Sequence, residues 1–205
     1  MINGSQNNID SIILKNIKNG FFIEAGGSDP KDQNNTELLE ANGWTGLIVE
    51  PKNDFNESYS KIRPRSIIEN VVLVSNDYKK DTILGDFSHY MTGGVENIHS
   101  LVWNPIEYKC STLNKILNKH NVNEVHFFSL DVEGYEVNVL NGINFSDVFF
   151  HIIVVENHGK WDKDGSLIYD NFDFLNDFGF YRKHKINQHE FYLNIKSEYY
   201  DSFTI

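Results

Sequence analysis

Four acidic residues stand where apolar runs end: Glu24 in "FFIEA" (21–25), Glu50 in "GLIVE" (46–50), Asp131 in "VHFFSLD" (125–131) and Glu156 in "FHIIVVE" (150–156). Burying each run would hold its carboxylate at the rim of a core. Between the first two lies "AGGSDPKDQNNT" (25–36), where Gly26 and Gly27 permit a close backbone approach. Negative charge beside a gap in the side chains suits a ligand that is cationic and rich in donors. Phosphate chemistry fits poorly. The third glycine of G-x-G-x-x-G is missing, Asp29 and Asp32 would repel a pyrophosphate, and no G-x-x-x-x-G-K-[ST] loop occurs.

The elements that must position these acids follow from periodicity. Ile9, Ile12, Ile13 and Ile17 share one face of an N-terminal helix spanning about 7–19, closed by Asn19-Gly20. Strand 21–25, helix 36–42, strand 46–50, a helical stretch 54–62 and strand 66–74 come next. Thr112 or Ser111 caps a helix carrying Leu113, Ile116 and Leu117. Strand 125–131, helix 135–142, strand 150–156, helix 167–178 and a closing antiparallel pair ("FGFYRKHK", "HEFYLNI") complete the order. Segment 75–109, with His89, Tyr90, "TGG" (92–94), His99 and Trp103, breaks the alternation and reads as a lid or hairpin insertion. Strands alternating with helices imply a mostly parallel sheet covered on both faces, and no linker divides residues 1–205. The expectation is one α/β domain.

Ligands of such sheets sit outside the carboxyl ends of the strands, where the four acids lie. S-adenosylmethionine carries an ammonium and a sulfonium and no phosphate, and so meets both conditions of the first loop. Glu50 lies just over twenty residues past the glycines, where an acid accepts hydrogen bonds from ribose hydroxyls.

Three blocks resemble the FkbM-type methyltransferases: residues 20–51, "FFSLDVEGYEVNVLNGINF" (127–145) and "IIVVEN" (152–157). "DVEGYEVNVLNG" is the most specific of them. The resemblance implies a single Rossmann-like methyltransferase domain that binds S-adenosylmethionine through Glu24, Gly26, Gly27, Ser28, Glu50 and Asp131. Asn35 and Thr36 would close over the methionine end, and Asn70 would contact the adenine. The chain departs from the pattern in its first loop, where a second glycine replaces the common acidic residue and Pro30 follows Asp29.

Methyl transfer needs an aligned acceptor, exclusion of water and removal of a proton. Asp131, Glu156 and His158 are the candidates for that chemistry. Histidine is the side chain that ordinarily titrates near neutrality, although His158 reads equally well as an exposed loop residue. Glu133 and Glu136 can serve the turn and helix or the chemistry. A divalent ion, Mg²⁺ or Mn²⁺, on Asp131, Glu156 and His158 is conceivable but not favoured. The expected reaction is methylation of a hydroxyl of a sugar or small metabolite, with Tyr90, Trp103, Tyr108 and Trp161 available to stack on a sugar. The alternative is a methyltransferase-like module that binds without turnover. A nicotinamide oxidoreductase ranks third because of the loop.

The net charge of −11 argues against a nucleic-acid backbone as partner. One cysteine, Cys110, excludes an intrachain disulfide and a thiolate-rich zinc site. No apolar run approaches the roughly 20 residues that span a bilayer, and "MINGSQNNID" lacks the apolar region of a secretory leader. A cytoplasmic protein is expected.

Overall fold

The computed structural model describes residues 5–52, 56–88, 94–95, 104–161 and 167–205. His89, Tyr90, Thr92, Gly93, His99 and Trp103 lie outside these residues, as does Asp54. A short 3-10 turn, Gln6–Asn8, leads into helix α1 (Ile9–Asn16), whose chain turns extended at Ile17. The alternation then runs β1 (Phe21–Ala25), α2 (Glu37–Ala41), β2 (Thr45–Val49), α3 (Asn56–Ile62) and β3 (Ser66–Glu69). Strands β4 (Val72–Leu73), β5 (Thr82–Asp86), β6 (Gly94–Val95) and β7 (Ile106–Ser111) follow. The chain continues through α4 (Leu113–Lys119), β8 (Glu124–Leu130), α5 (Glu136–Leu140) and β9 (Phe149–Glu156). After the short pair β10 (Lys160–Trp161) and β11 (Leu167–Ile168), a 3-10 helix (Asp173–Phe178) leads into β12 (Phe180–Ile186) and β13 (His189–Asn194).

Seven strands form the main sheet in the order β12-β13-β9-β8-β1-β2-β3. Neighbours from β3 to β9 pair in parallel, and β13 pairs antiparallel with both β9 and β12. Thus β13 alone runs against the rest. Successive strands step outward from β1 through β2 to β3, and the chain then returns to lay β8 on the other side of β1. The junction of β1 and β8 is therefore the topological switch point, where such sheets open a crevice.

Pleating divides the core in two. Phe22, Ile48, Phe127, Ile152, Val154, Phe191 and Leu193 pack with Ile9 and Ile13 of α1, Leu39 of α2 and Tyr59 of α3. Ile23, Leu47, Phe128, Leu130, Ile153 and Val155 face the other way, onto Leu113, Ile116 and Leu117 of α4 and Val139 and Leu140 of α5. Both faces are thus covered by helices, and the α/β reading holds, closing antiparallel pair included. Thr112 caps α4, accepting from the Lys115 amide at 3.2 Å. Among the described residues no helix is long and apolar enough to cross a membrane.

Two elements differ from expectation. The run 66–74 is not one strand: β3 extends the main sheet, whereas β4 pairs in parallel with β7 in a second, four-stranded sheet (β4-β7-β5-β6). The break falls at Asn70, whose Nδ2 donates to the Glu50 carbonyl at 2.9 Å. Segment 167–178 is not an α-helix. Asn171 Oδ1 accepts from the Asp173 amide at 2.7 Å and Asn157 Oδ1 from the Asp170 amide at 3.3 Å, and only a 3-10 helix forms. Short polar side chains that bond nearby backbone compete with helix in this way.

Candidate functional site

Register lines the acids up. Val49, Ala25, Leu130 and Val155 are successive neighbours across β2, β1, β8 and β9. One residue further on, the same row reads Glu50, Gly26, Asp131 and Glu156, with His189 of β13 paired to Glu156. Because side chains alternate along a strand, Glu24 and this row all face the α1–α3 side. Three of the four acids form one edge, and Glu24 sits two residues inside it.

The row borders a cavity at the switch point. Its lining includes Glu24, Gly26, Gly27, Ser28, Asn35, Glu50 and Asp131 among the expected residues. Its apolar wall is built by Val71, Val72, Leu73, Phe87, Val95 and Val139. The polar wall comes from Gln6, Gln33, Asn35, Ser129 and Asp131. Thr36, Asn70, Glu156 and His158 do not line it.

The glycines let the first loop pack tightly beside the cavity. Gly26 has φ +84°, and a Cβ there would lie 1.6 Å from the Asp131 carbonyl oxygen. A Cβ on Gly27 would meet the Tyr59 hydroxyl at 2.5 Å and Ile48 Cγ2 at 2.7 Å. No side chain fits at either position: at Gly26 the chain after β1 lies directly against the backbone after β8, and Gly27 packs against Tyr59 and Ile48. The loop beyond turns through positive φ at Ser28 (45°) and Gln33 (56°).

Each acid has its own environment. Glu24 is buried, and both its oxygens are engaged: the Asn35 amide donates to Oε1 at 2.7 Å and the Thr36 hydroxyl to Oε2 at 2.6 Å. Burial raises its pKa against the opposing pull of the Arg63 guanidinium. Glu50 accepts from the Ser28 amide and from the Lys52 amide, each at 2.9 Å, and desolvation raises its pKa too. Asp131 is held well above the usual carboxylate range, by burial first and by its hydrogen bond and charge contact with Glu156 second. Burial also raises Glu156. The two carboxyls lie in hydrogen-bond contact with one another. Behind them, Glu156 Oε2 meets His158 Nε2 at 2.9 Å, and the Gln188 amide donates to Oε1 at 3.2 Å. The His158 side chain is half-exposed.

Sequence reasoning left Glu133 and Glu136 equivalent, and the structure separates them. Glu136 Oε1 accepts from the Val132 and Gly134 amides, each at 3.0 Å, and so pins the turn after β8. Glu133 lines the cavity from a left-handed backbone (φ 55°). Burial, then Asp131 and Glu136, push its carboxyl up to about 8.

Two contributors had no sequence signal. Arg63 is buried at the end of α3 and donates to Glu40 Oε2 (2.8 Å), Asn34 Oδ1 (2.7 Å), Thr36 Oγ1 (2.7 Å) and the Pro30 carbonyl (3.4 Å). It fixes the whole loop that carries Asn35. Gln6 reaches the cavity from the turn before α1. Its Nε2 donates to Asp131 Oδ2 at 3.2 Å, its Oε1 faces His189 Nε2 at 2.7 Å, and its backbone amide donates to Asn35 Oδ1 at 3.0 Å.

The residues fit S-adenosylmethionine on structural grounds: Gly26 and Gly27 offer bare backbone to the cavity, carboxylates gather beside it, and an apolar wall stands opposite. The match to known proteins agrees. The model of the methyltransferase FkbM domain covers residues 24–182, from Glu24 at the end of β1 into β12. Among curated proteins no match is found. With most of the chain inside the family's own domain, and its strand order and crevice in place, the protein belongs to the FkbM methyltransferases, which transfer methyl groups from S-adenosylmethionine.

Proposed function

We propose that the protein methylates a hydroxyl oxygen of an uncharged sugar or small metabolite. The observation that carries this reading is the row Glu50–Gly26–Asp131–Glu156, a carboxyl-lined edge on a crevice whose glycine floor admits no side chain. In this reading Glu50 takes the ribose hydroxyls with the oxygen lone pairs that Ser28 and Lys52 leave. The apolar wall of Val71, Val72 and Leu73 receives the adenine, with Asn70 behind it holding the Glu50 carbonyl. Glu24 and Thr36 act indirectly by fixing Asn35, which faces the cavity. Bound cofactor supplies an electrophilic methyl on sulfur and a neutral thioether as leaving group.

The chain's own task is the proton. An acceptor hydroxyl beside Asp131 gives its proton to the hydrogen-bonded Asp131–Glu156 carboxyl pair. His158 contacts Glu156 from the half-exposed side and leads that proton toward water. The row of acids also favours a neutral or cationic acceptor over a phosphorylated one, by simple repulsion.

Calorimetry with S-adenosylmethionine, followed by a radiolabelled methyl-transfer screen against glycans and small alcohols with and without magnesium, tests the reading. Binding with turnover on a neutral alcohol is expected, along with loss of turnover in Asp131→Asn. Binding with no methyl transfer to any alcohol would favour a non-catalytic module instead. Absence of binding would end the proposal.

A further inference from the structure

The crevice is completed by Gln6, held in turn by His189, and both lie outside the family-matched span 24–182. Gln6, before α1, and His189, at the start of β13, are 183 positions apart, yet they meet over Asp131. His189 is buried, with Nδ1 facing Asn7 Nδ2 at 2.9 Å and Nε2 facing Gln6 Oε1 at 2.7 Å. An amide NH₂ has no acceptor, so Asn7 must donate to Nδ1. His189 then carries its hydrogen on Nε2 and donates to Gln6 Oε1. This sets the orientation of the Gln6 amide: its oxygen turns to His189 and its NH₂ turns to Asp131 and the cavity. One hydrogen of that NH₂ goes to Asp131 Oδ2. The second has no partner among the described residues.

The turn that carries Gln6 is braced rather than relaxed. Asn7 (φ 52°) and Asn8 (φ 57°) are consecutive left-handed residues, a conformation that asparagine tolerates better than most side chains but that still costs energy. It is offset by the Gln6 amide bond to Asn35, the Asn7 bond to His189 and an Asn187 Nδ2 bond to Asn7 Oδ1 at 2.6 Å. Several independent hydrogen bonds hold a strained turn over one end of a cavity. That end is the polar one, away from the apolar wall suited to a base.

We propose that Gln6 reads the amino-acid end of the cofactor, donating its second Nε2 hydrogen to the α-carboxylate while Asp131 accepts from the α-ammonium. His189 is the positioning residue that keeps the Gln6 amide from flipping. A zwitterion needs a donor and an acceptor side by side, and the Gln6–Asp131 pair supplies both at the cavity's polar wall. The inference rests on the crevice being the cofactor site.

Two probes separate it from that reading: S-adenosylhomocysteine, which has the amino-acid end, and 5′-methylthioadenosine, which lacks it. Calorimetry on wild type and Gln6→Ala is expected to show S-adenosylhomocysteine binding weakened about tenfold or more, as for a lost hydrogen bond to a charged group. Methylthioadenosine binding should be unchanged. Gln6→Asn, one methylene shorter, should show the same selective loss and guards against misfolding of the alanine variant. Hydrogen exchange at residues 5–8 should slow with the first ligand and not with the second. Undiminished binding of S-adenosylhomocysteine, or equal losses for both ligands, would overturn the role of Gln6 while leaving the cofactor site in place. Failure of the wild type to bind either ligand would remove the site and the inference together.

Discussion

Acidification from pH 7 to pH 5 sets His189 against its surroundings. In an unfolded chain its imidazole titrates near 6.5, whereas burial, aided by the nearby His158, depresses it to about 4 in the folded protein. Between those values the unfolded state binds a proton that the native state refuses. Stability is therefore fully present above pH 6.5 and is lost as the pH falls toward 4. Two pKa values 2.5 units apart give a loss of about 2 kcal/mol at pH 5, approaching about 3 kcal/mol below pH 4. The cause is local: protonating Nδ1 would set its new hydrogen against the Asn7 NH₂. Asn7 cannot turn its oxygen inward without losing the bond from Asn187. The nearest compensating charge is Glu156, with Oε1 3.6 Å from Nε2, a carboxyl whose own pKa burial raises. The comparison is His189→Gln, a neutral amide that can still face both Gln6 and Asn7. Urea unfolding of both proteins at pH 7 and pH 5 should show the wild type losing about 2 kcal/mol more than the variant, or about 4–8 °C in melting temperature for a chain of this size. Curves that stay parallel to within about 0.5 kcal/mol would mean that Glu156 accommodates the imidazolium and that the neutral relay does not exist.

Two further outcomes follow from the same geometry. Replacing Arg63 by Met strands the buried Glu40 carboxylate and leaves Asn34 and Thr36 without their donor, so equilibrium unfolding should show a loss of about 3–5 kcal/mol. Arg63→Lys should recover only part of this, because one ammonium cannot reach the acceptors that the planar guanidinium spans. Glu133 has the opposite pH signature to His189. Its carboxyl is pushed up to about 8, so the native state holds a proton that the unfolded chain has released. Wild-type stability relative to Glu133→Gln should fall as the pH rises from 5 to 9, as read by melting temperature across that range.

Much of the frame was legible because a doubly covered parallel sheet demands continuous apolar strands. "FFIEA", "GLIVE", "VHFFSLD" and "FHIIVVE" could hardly be anything else, and the acids closing the last three have only the rim to occupy, whereas Glu24 is buried two residues inside it. Alternation with helical periodicity then implied parallel pairing, and the pleat put the acids on one face. The run 66–74 defeated the same logic. Its apolar residues suit either sheet, and a partner strand, β7, some forty residues on decided where it split. Helix 167–178 failed for a different reason. The spacing of Phe172 and Leu175 satisfies a helix, but Asn171 competes locally for the Asp173 amide, and the bond from Asn157 to the Asp170 amide is invisible until the loops meet.

For the site, residue type and strand position were enough to nominate the carboxylates and the glycine turn, because these depend on local order along the chain. Which of them face a common cavity was a matter of register and packing. Tertiary structure placed Asp131, Glu50 and Gly26 on the cavity, set Glu156 and His158 one layer behind, and split Glu133 from Glu136. It alone brought Gln6 to His189, since no periodicity links residues 183 positions apart. Short-range steric and hydrophobic preferences act within a few residues and can be read from the string. Hydrogen bonds between chain ends exist only after the sheet has closed the distance between them.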